Sequence, residues 1–212
     1  MKLRNLIWLT SLAVIALVFA ACDSGGDASG GTTGGDANAS SAPALSQTET
    51  IESPEMGGSM SVSYPEGWFV SGEGGGFLIS NSEEALASSG PEDFDEIPTG
   101  TVVVTISIIP GEMAAAMGVQ GDVTPTAIID VFSGFMGGEG MPEFGDVEEL
   151  TIDGNAAART TGSDDKMTAT LYAIDKGGSF AFGFGATRVD EAEANAALIQ
   201  SIIASATFTA SS

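Results

Sequence analysis

Four carboxylates crowd the stretch Gly90-Pro91-Glu92-Asp93-Phe94-Asp95-Glu96-Ile97-Pro98. Calcium prefers clustered oxygen ligands, so Glu92, Asp93, Asp95 and Glu96 form the candidate divalent-cation set. The EF-hand spacing, with its central glycine and closing glutamate, is absent, and the leading reading of the same residues is a solvated acidic loop. Glu148-Glu149 and Asp164-Asp165 read as edge or turn charges. Two acids about 5 to 10 Å apart, one with a raised pKa, would serve glycoside hydrolysis, but no pair here is marked by a local motif. Ser163 and Lys166 have the residue types of a nucleophile and its base. That chemistry needs a neutral lysine, and Asp164-Asp165 would hold Lys166 protonated. The chain has no histidine, which removes the usual zinc, haem and Ser-His-Asp arrangements. Its single cysteine, Cys22, cannot form an internal disulfide.

The elements that would position these groups begin at about Ile51. "SMSVSYP" alternates with Met60, Val62 and Tyr64 on one face. Pro65-Glu66-Gly67 turns the chain, Trp68-Phe69-Val70 follows, and Gly74 to Gly76 leads into "FLIS", which together read as a β-meander. One helical turn is expected at Glu83 to Ala87 inside a loop. "TVVVTISII", Thr101 to Ile109, is apolar on both faces and reads as an interior strand. Thr124-Pro125 then caps a helix carrying Ile128, Val131, Phe132 and Phe135 at helical spacing, with Gly137-Gly138 to end it. "VEELTI" and "AAARTTGS" are joined by Asp153-Gly154-Asn155, and "KMTATLYAI" and "SFAFGFGAT" by Asp175 to Gly178, as two hairpins. Asp190 and Glu193 have the spacing of a capping box before a closing helix with Leu198, Ile199, Ile202 and Ile203 on its apolar stripe. Phe180, Phe182 and Phe184 alternate with Ala181, Gly183 and Gly185. This phenylalanine ladder reads as the sheet face beneath the closing helix, or as the lining of an apolar cavity. Met113, Met117, Met136 and Met141 flank the middle helix as core filling or an adaptable surface. Antiparallel strands with two amphipathic helices make the fold class α+β, in one domain spanning residues 51–209.

Two further regions precede that domain. Lys2 and Arg4 stand before the uncharged apolar run Leu6 to Ala21, the order of a secretory signal peptide over residues 1–21. The run is too short and too abruptly ended for a permanent transmembrane helix. Phe19-Ala20-Ala21-Cys22 resembles the lipobox of bacterial lipoproteins: a large apolar residue, two small ones and the invariant cysteine. The resemblance implies cleavage before Cys22, a diacylglycerol thioether on its sulfur, and acylation of the new amino terminus. Residues 22–50 are mainly Gly, Ser, Ala, Thr and Asp, too polar to bury a core, and read as a disordered tether with a reach of about 30 Å. Asp23 directly after the cysteine is associated, in lipoproteins of two-membrane bacteria, with retention in the inner membrane.

The order of elements in the domain, with Tyr64-Pro65-Glu66-Gly67-Trp68 opening it and Asp153-Gly154 at a hairpin, is similar to the PsbP-like α/β/α sandwich. That fold is shared by the photosystem II extrinsic protein, a Ran-binding nuclear-import factor and small DcrB-like bacterial lipoproteins. It has no shared catalytic constellation, so the resemblance implies binding or support of an assembly and assigns no active-site residue.

Charge narrows the partners. Six basic residues stand against 29 acidic ones for a formal net charge of −23, a field that repels phosphate backbones and anionic lipid. Nucleic acid is excluded as a partner, and membrane attachment falls to the acyl chains, each buried CH₂ contributing about 0.8 kcal/mol. The leading expectation is a non-catalytic lipoprotein, anchored on the extracytoplasmic face of the cell membrane, that binds or supports another envelope protein. A lipoprotein that captures a divalent cation, with calcium as the one cofactor suggested, or a small ligand is the alternative. A carboxylate-dependent hydrolase comes third.

Overall fold

The computed structural model describes residues 43–54, 56–73, 75–87, 98–119, 121–136 and 141–211. In chain order its elements are β1 (Leu45–Ser53), β2 (Gly58–Pro65), β3 (Phe69–Glu73), β4 (Gly76–Ser80), α1 (Glu83–Ala87), β5 (Val102–Pro110), α2 (Gly111–Ala116) and α3 (Pro125–Met136). They continue with β6 (Glu148–Ile152), β7 (Asn155–Ser163), β8 (Met167–Asp175), β9 (Ser179–Arg188), α4 (Ala192–Ile203) and β10 (Thr207–Ala210). The strands form two sheets, one ordered β1-β2-β10 and a seven-stranded one ordered β3-β4-β5-β9-β8-β7-β6. Every pairing is antiparallel. The class is α+β.

The expected opening meander is split between the sheets. After β2 the chain turns at Gly67, whose φ is +80°, and Trp68 N–H donates to the Pro65 carbonyl. It then enters β3 of the larger sheet. The folded part also starts earlier than residue 51, because β1 begins at Leu45. Its residues Ser46 to Thr50 are exposed, so backbone pairing to β2 rather than apolar burial puts them in a strand. At the other end β10 closes on the opposite edge of β2, with Phe208 opposite Met60.

The hairpins follow their turn chemistry. Asp153 and Gly154 both have positive φ, 52° and 78°, the conformation of a type I′ turn that matches strand twist. β5 is interior, between β4 and β9, with Val102, Val103, Val104, Ile106, Ile108 and Ile109 all buried. α3 starts as its sequence dictates: the Thr124 hydroxyl accepts from Ala127 N–H at 3.2 Å, and proline occupies the first helical position. The glycine pair expected to end it lies outside the described residues.

α4 starts differently from expectation. Val189–Glu191 form a 3₁₀ turn, and α4 begins at Ala192 with no side-chain cap. Asp190 therefore does not stand at the cap; its carboxylate accepts from Arg188 Nε at 3.0 Å.

The two long helices lie on opposite faces of the larger sheet. Phe132 of α3 stacks on Phe182 with ring centroids 4.0 Å apart, and the Thr126 hydroxyl at the helix start donates to Glu149 of β6. α3 thus crosses from β6 toward β9. On the reverse face, a methyl group built on Gly185 would overlap Ile199 Cγ2 of α4. Residues 182 and 185 of one strand point to opposite faces, so the layers are helix, sheet, helix. The phenylalanine ladder lies under α3, not under the closing helix as its alternation suggested.

Candidate functional site

Cys22 and the acidic set Glu92, Asp93, Asp95 and Glu96 lie outside the described residues. The flanks of the acidic stretch are described, and they are fastened together. Asn81 Nδ2 donates to the Gly100 carbonyl at 2.5 Å, while Asn81 Oδ1 accepts from Val102 N–H at 2.9 Å. Gly100 N–H donates to both carboxylate oxygens of Glu191, at 2.8 and 2.9 Å. One asparagine before α1 and one glutamate before α4 therefore fix where the chain re-enters β5. Sequence reading passed over both residues, since their partners are far away along the chain.

The remaining candidates for chemistry are used by the fold. Ser163 Oγ is 2.8 Å from Thr168 Oγ1 across β7 and β8. Asp164 Oδ1 accepts from Lys166 N–H at 2.7 Å and Met167 N–H at 2.8 Å. The Met167 N–H, joined by that of Lys166, holds the Asp164 carboxyl below the usual carboxylate range. Serine and aspartate thus build the β7–β8 turn. Burial pushes the Lys176 ammonium below its ordinary value, against the charge of Asp153.

The most developed polar arrangement is a row across three strands. Glu148 of β6, Arg159 of β7 and Tyr172 of β8 are directly paired in register. Arg159 Nε and the guanidinium nitrogen Nη2 each reach Glu148 Oε2 at 2.8 Å. Tyr172 is 2% exposed, and burial raises its phenol against the lowering effect of its hydrogen bond with Arg159. Burial alone would lower the guanidinium, but the hydrogen bonds to Glu148 and Tyr172 hold it above its ordinary value. The arginine charge is neutralised and its donors are directed along the sheet, so the row fastens β6 and β7 onto β8. It offers no poised acid and base.

The phenylalanine ladder is likewise filled. Phe180, Phe182 and Phe184 are buried, and the Phe132 ring occupies the space a ligand would need. A shallow cleft of ≈ 410 Å³ remains beside the start of α3, lined by Thr124, Pro125, Thr126, Leu150, Thr151 and Ala156 among others. Phe135 is 71% exposed, edge-on to Phe132 with centroids 6.5 Å apart. The expected stripe on α3 is corrected there, and Ile129 takes the buried place. Met113, Met117, Met136 and Met141 are all partly buried against the core. Among the described residues, every buried side-chain nitrogen and oxygen has a partner, no three of Asp, Glu, Cys or His gather closely enough to hold a metal ion, and no helix is long and apolar enough to cross a membrane.

No protein-family model matches the chain, and no curated protein sequence matches it. Among solved structures the chain is similar to cyanobacterial PsbP (CyanoP) from Synechocystis sp. PCC 6803, at 17% identity and a TM-score of 0.43 over 84% of this chain and 98% of that one. It is also similar to LpqN, a protein involved in cell envelope biogenesis of Mycobacterium tuberculosis. That alignment covers 77% of this chain and 91% of LpqN at 17% identity and a TM-score of 0.41. A mutant of the protein Mog1 aligns over 76% of this chain and 96% of its own at 8% identity, with a TM-score of 0.41.

Proposed function

We propose that this protein is an exported lipoprotein, held on the extracytoplasmic face of the cell membrane by acyl groups on Cys22, whose PsbP-like domain binds or supports an envelope component without catalysing a reaction. The observation that carries the reading is the junction at Phe19-Ala20-Ala21-Cys22, where a basic start and an apolar run give way to a Gly/Ser/Asp tract. The first strand begins at Leu45, so the tether after Cys22 ends sooner than the composition alone suggests. Its reach is then about 25 Å, which keeps the acidic domain close to the bilayer without pressing it there. The use of Ser163, Asp164, Glu148 and Arg159 in turns and strand pairing supports a binding role over a hydrolytic one.

Mass spectrometry of the mature amino terminus tests the anchor: an acylated Cys22 is expected, and an unmodified terminus at another residue overturns it. Crosslinking in membranes followed by capture tests the role. A specific envelope partner is expected, lost or reduced with Cys22→Ser, and equal recovery from both forms counts against anchored binding.

A further inference from the structure

We propose that β1 is a detachable strand, able to leave β2 while the rest of the domain stays folded, and that the tether is the handle that draws it off. Ser46 to Thr50 are exposed, Leu45 and Ile51 are partly buried, and only Ser53 is buried. With polar side chains on both of its faces, β1 has little that specifies its register, and its pairing already shifts between Leu45 and Gln47. Beyond the backbone ladder it is held by two hydroxyl pairs, Thr48 with Ser63 at 3.1 Å and Thr50 with Ser61 at 2.8 Å, and by Leu45 and Ile51 near its two ends, which pack against the core.

β2 is secured independently of β1. Met60 and Val62 are fully buried, and β10 pairs with the other edge from Gly58 to Ser61. The Ser205 hydroxyl, just past α4, accepts from Ser63 N–H and donates to the Ser63 carbonyl. Loss of β1 therefore leaves β2 fixed to α4 and β10. Exposed hydrogen-bonded elements with few buried side chains open at lower free energy than the core.

The geometry also sets the direction of opening. The tether enters at Leu45, which pairs with Pro65 at the far end of β2, while Ser53 pairs with Gly58 beside the turn. Pull on the tether directed away from β2 loads the pairs one after another from Leu45 onward. Ile51 marks the end of easy opening, since a methyl group built on Gly72 of β3 would stand 2.5 Å from Ile51 Cγ2. Below that point the chain is seated on the larger sheet. Detachment follows from the contacts of β1 alone; its use as a strap under load rests on the anchor proposed above.

Hydrogen exchange of the full chain, read peptide by peptide, tests the opening. The segment Leu45–Thr50 is expected to exchange at least about ten-fold faster than β8 and β9, and an oxidised Thr48→Cys/Ser63→Cys pair, set nearer the tether end of the ladder, in a Cys22→Ser background is expected to slow the exchange of Thr48 to Thr50 toward that of β8 and β9. Exchange of β1 in step with β8 and β9, or an unchanged rate with the staple closed, overturns the proposal. Pulling the unacylated Glu66→Cys chain between Cys22 and position 66, in the turn at the same end of β2 as Leu45, tests the handle with β10 outside the loaded path, whatever the lipid state in cells. A short extension before the main unfolding event is expected, and a single event from the folded baseline overturns it.

Discussion

The two faces of β9 hold their helices by opposite means. Toward α3 the strand presents Phe180, Phe182 and Phe184, and the helix is held off at the distance of a stacked ring pair. Toward α4 it presents Ala181, Gly183 and Gly185, and Ile199 rests almost on the backbone. The first face is stabilised by bulk and should suffer when side chains shrink. The second is stabilised by close approach and should suffer when they grow. One strand can therefore carry both helices only because its two rows of side chains differ so much in size.

The largest expected effect breaks the first face. Phe182→Ala should cost about 3–5 kcal/mol, because the ring is fully buried and Phe132 loses its stacking partner. Urea denaturation gives the value, and a loss below about 1 kcal/mol would show that α3 can settle into the gap. Next, Gly185→Ala should cost about 1–3 kcal/mol through overpacking, while Ala181→Gly on the same face should matter less. Adding Ile199→Ala should make Gly185→Ala nearly harmless, and additive losses in that double-mutant cycle would refute direct collision.

Acid sharpens the comparison at the turn joining the two strands beneath α3. Asp164 has its carboxyl held below the ordinary value in the folded state. Its stabilising contribution is present above the unfolded-state pKa and is lost as pH falls through the folded one. Asp164→Asn should therefore lower the denaturation midpoint at neutral pH, with the gap to the parent closing in acid. A gap that persists at low pH would assign the effect to something other than the charge. The smallest effect is expected at Phe135, whose ring is mostly exposed beyond Phe132. Phe135→Ser should change stability by no more than about 0.5 kcal/mol, and a loss similar to that of Phe182→Ala would mean the ring is covered in solution.

The contrast between the faces also shows what the sequence could and could not convey. Alternation at Phe180 to Gly185 announced a strand with one bulky and one bare side, but alternation names no helix. The bare side took α4 because only a strand without side chains lets Ile199 approach that closely. Thr124-Pro125 and Asp153-Gly154 were legible because caps and type I′ turns are local chemistry. β1 was not, since Leu45 to Thr50 carry no apolar pattern and become a strand only by pairing with β2. Helical spacing placed Phe135 with Phe132, yet spacing does not say where the apolar surface beneath a helix ends. Asp190 and Glu193 matched a capping pattern, but the 3₁₀ turn moved the helix start past it. The candidates that the sequence singled out, Cys22 and the acidic cluster, lie outside the described residues, and it gave no sign of Asn81 and Glu191, whose partners lie far off in the chain.

Those two residues set a condition on how the protein can vary. Asn81 and Glu191 grip Gly100 and Val102 directly, so the entry to β5 does not depend on the number of residues between Ala87 and Pro98. Chain length there is uncoupled from sheet register, and insertions or deletions between the two points should leave the layers undisturbed. Descendants of this sequence are free to lengthen, shorten or rewrite that stretch while inheriting the same scaffold.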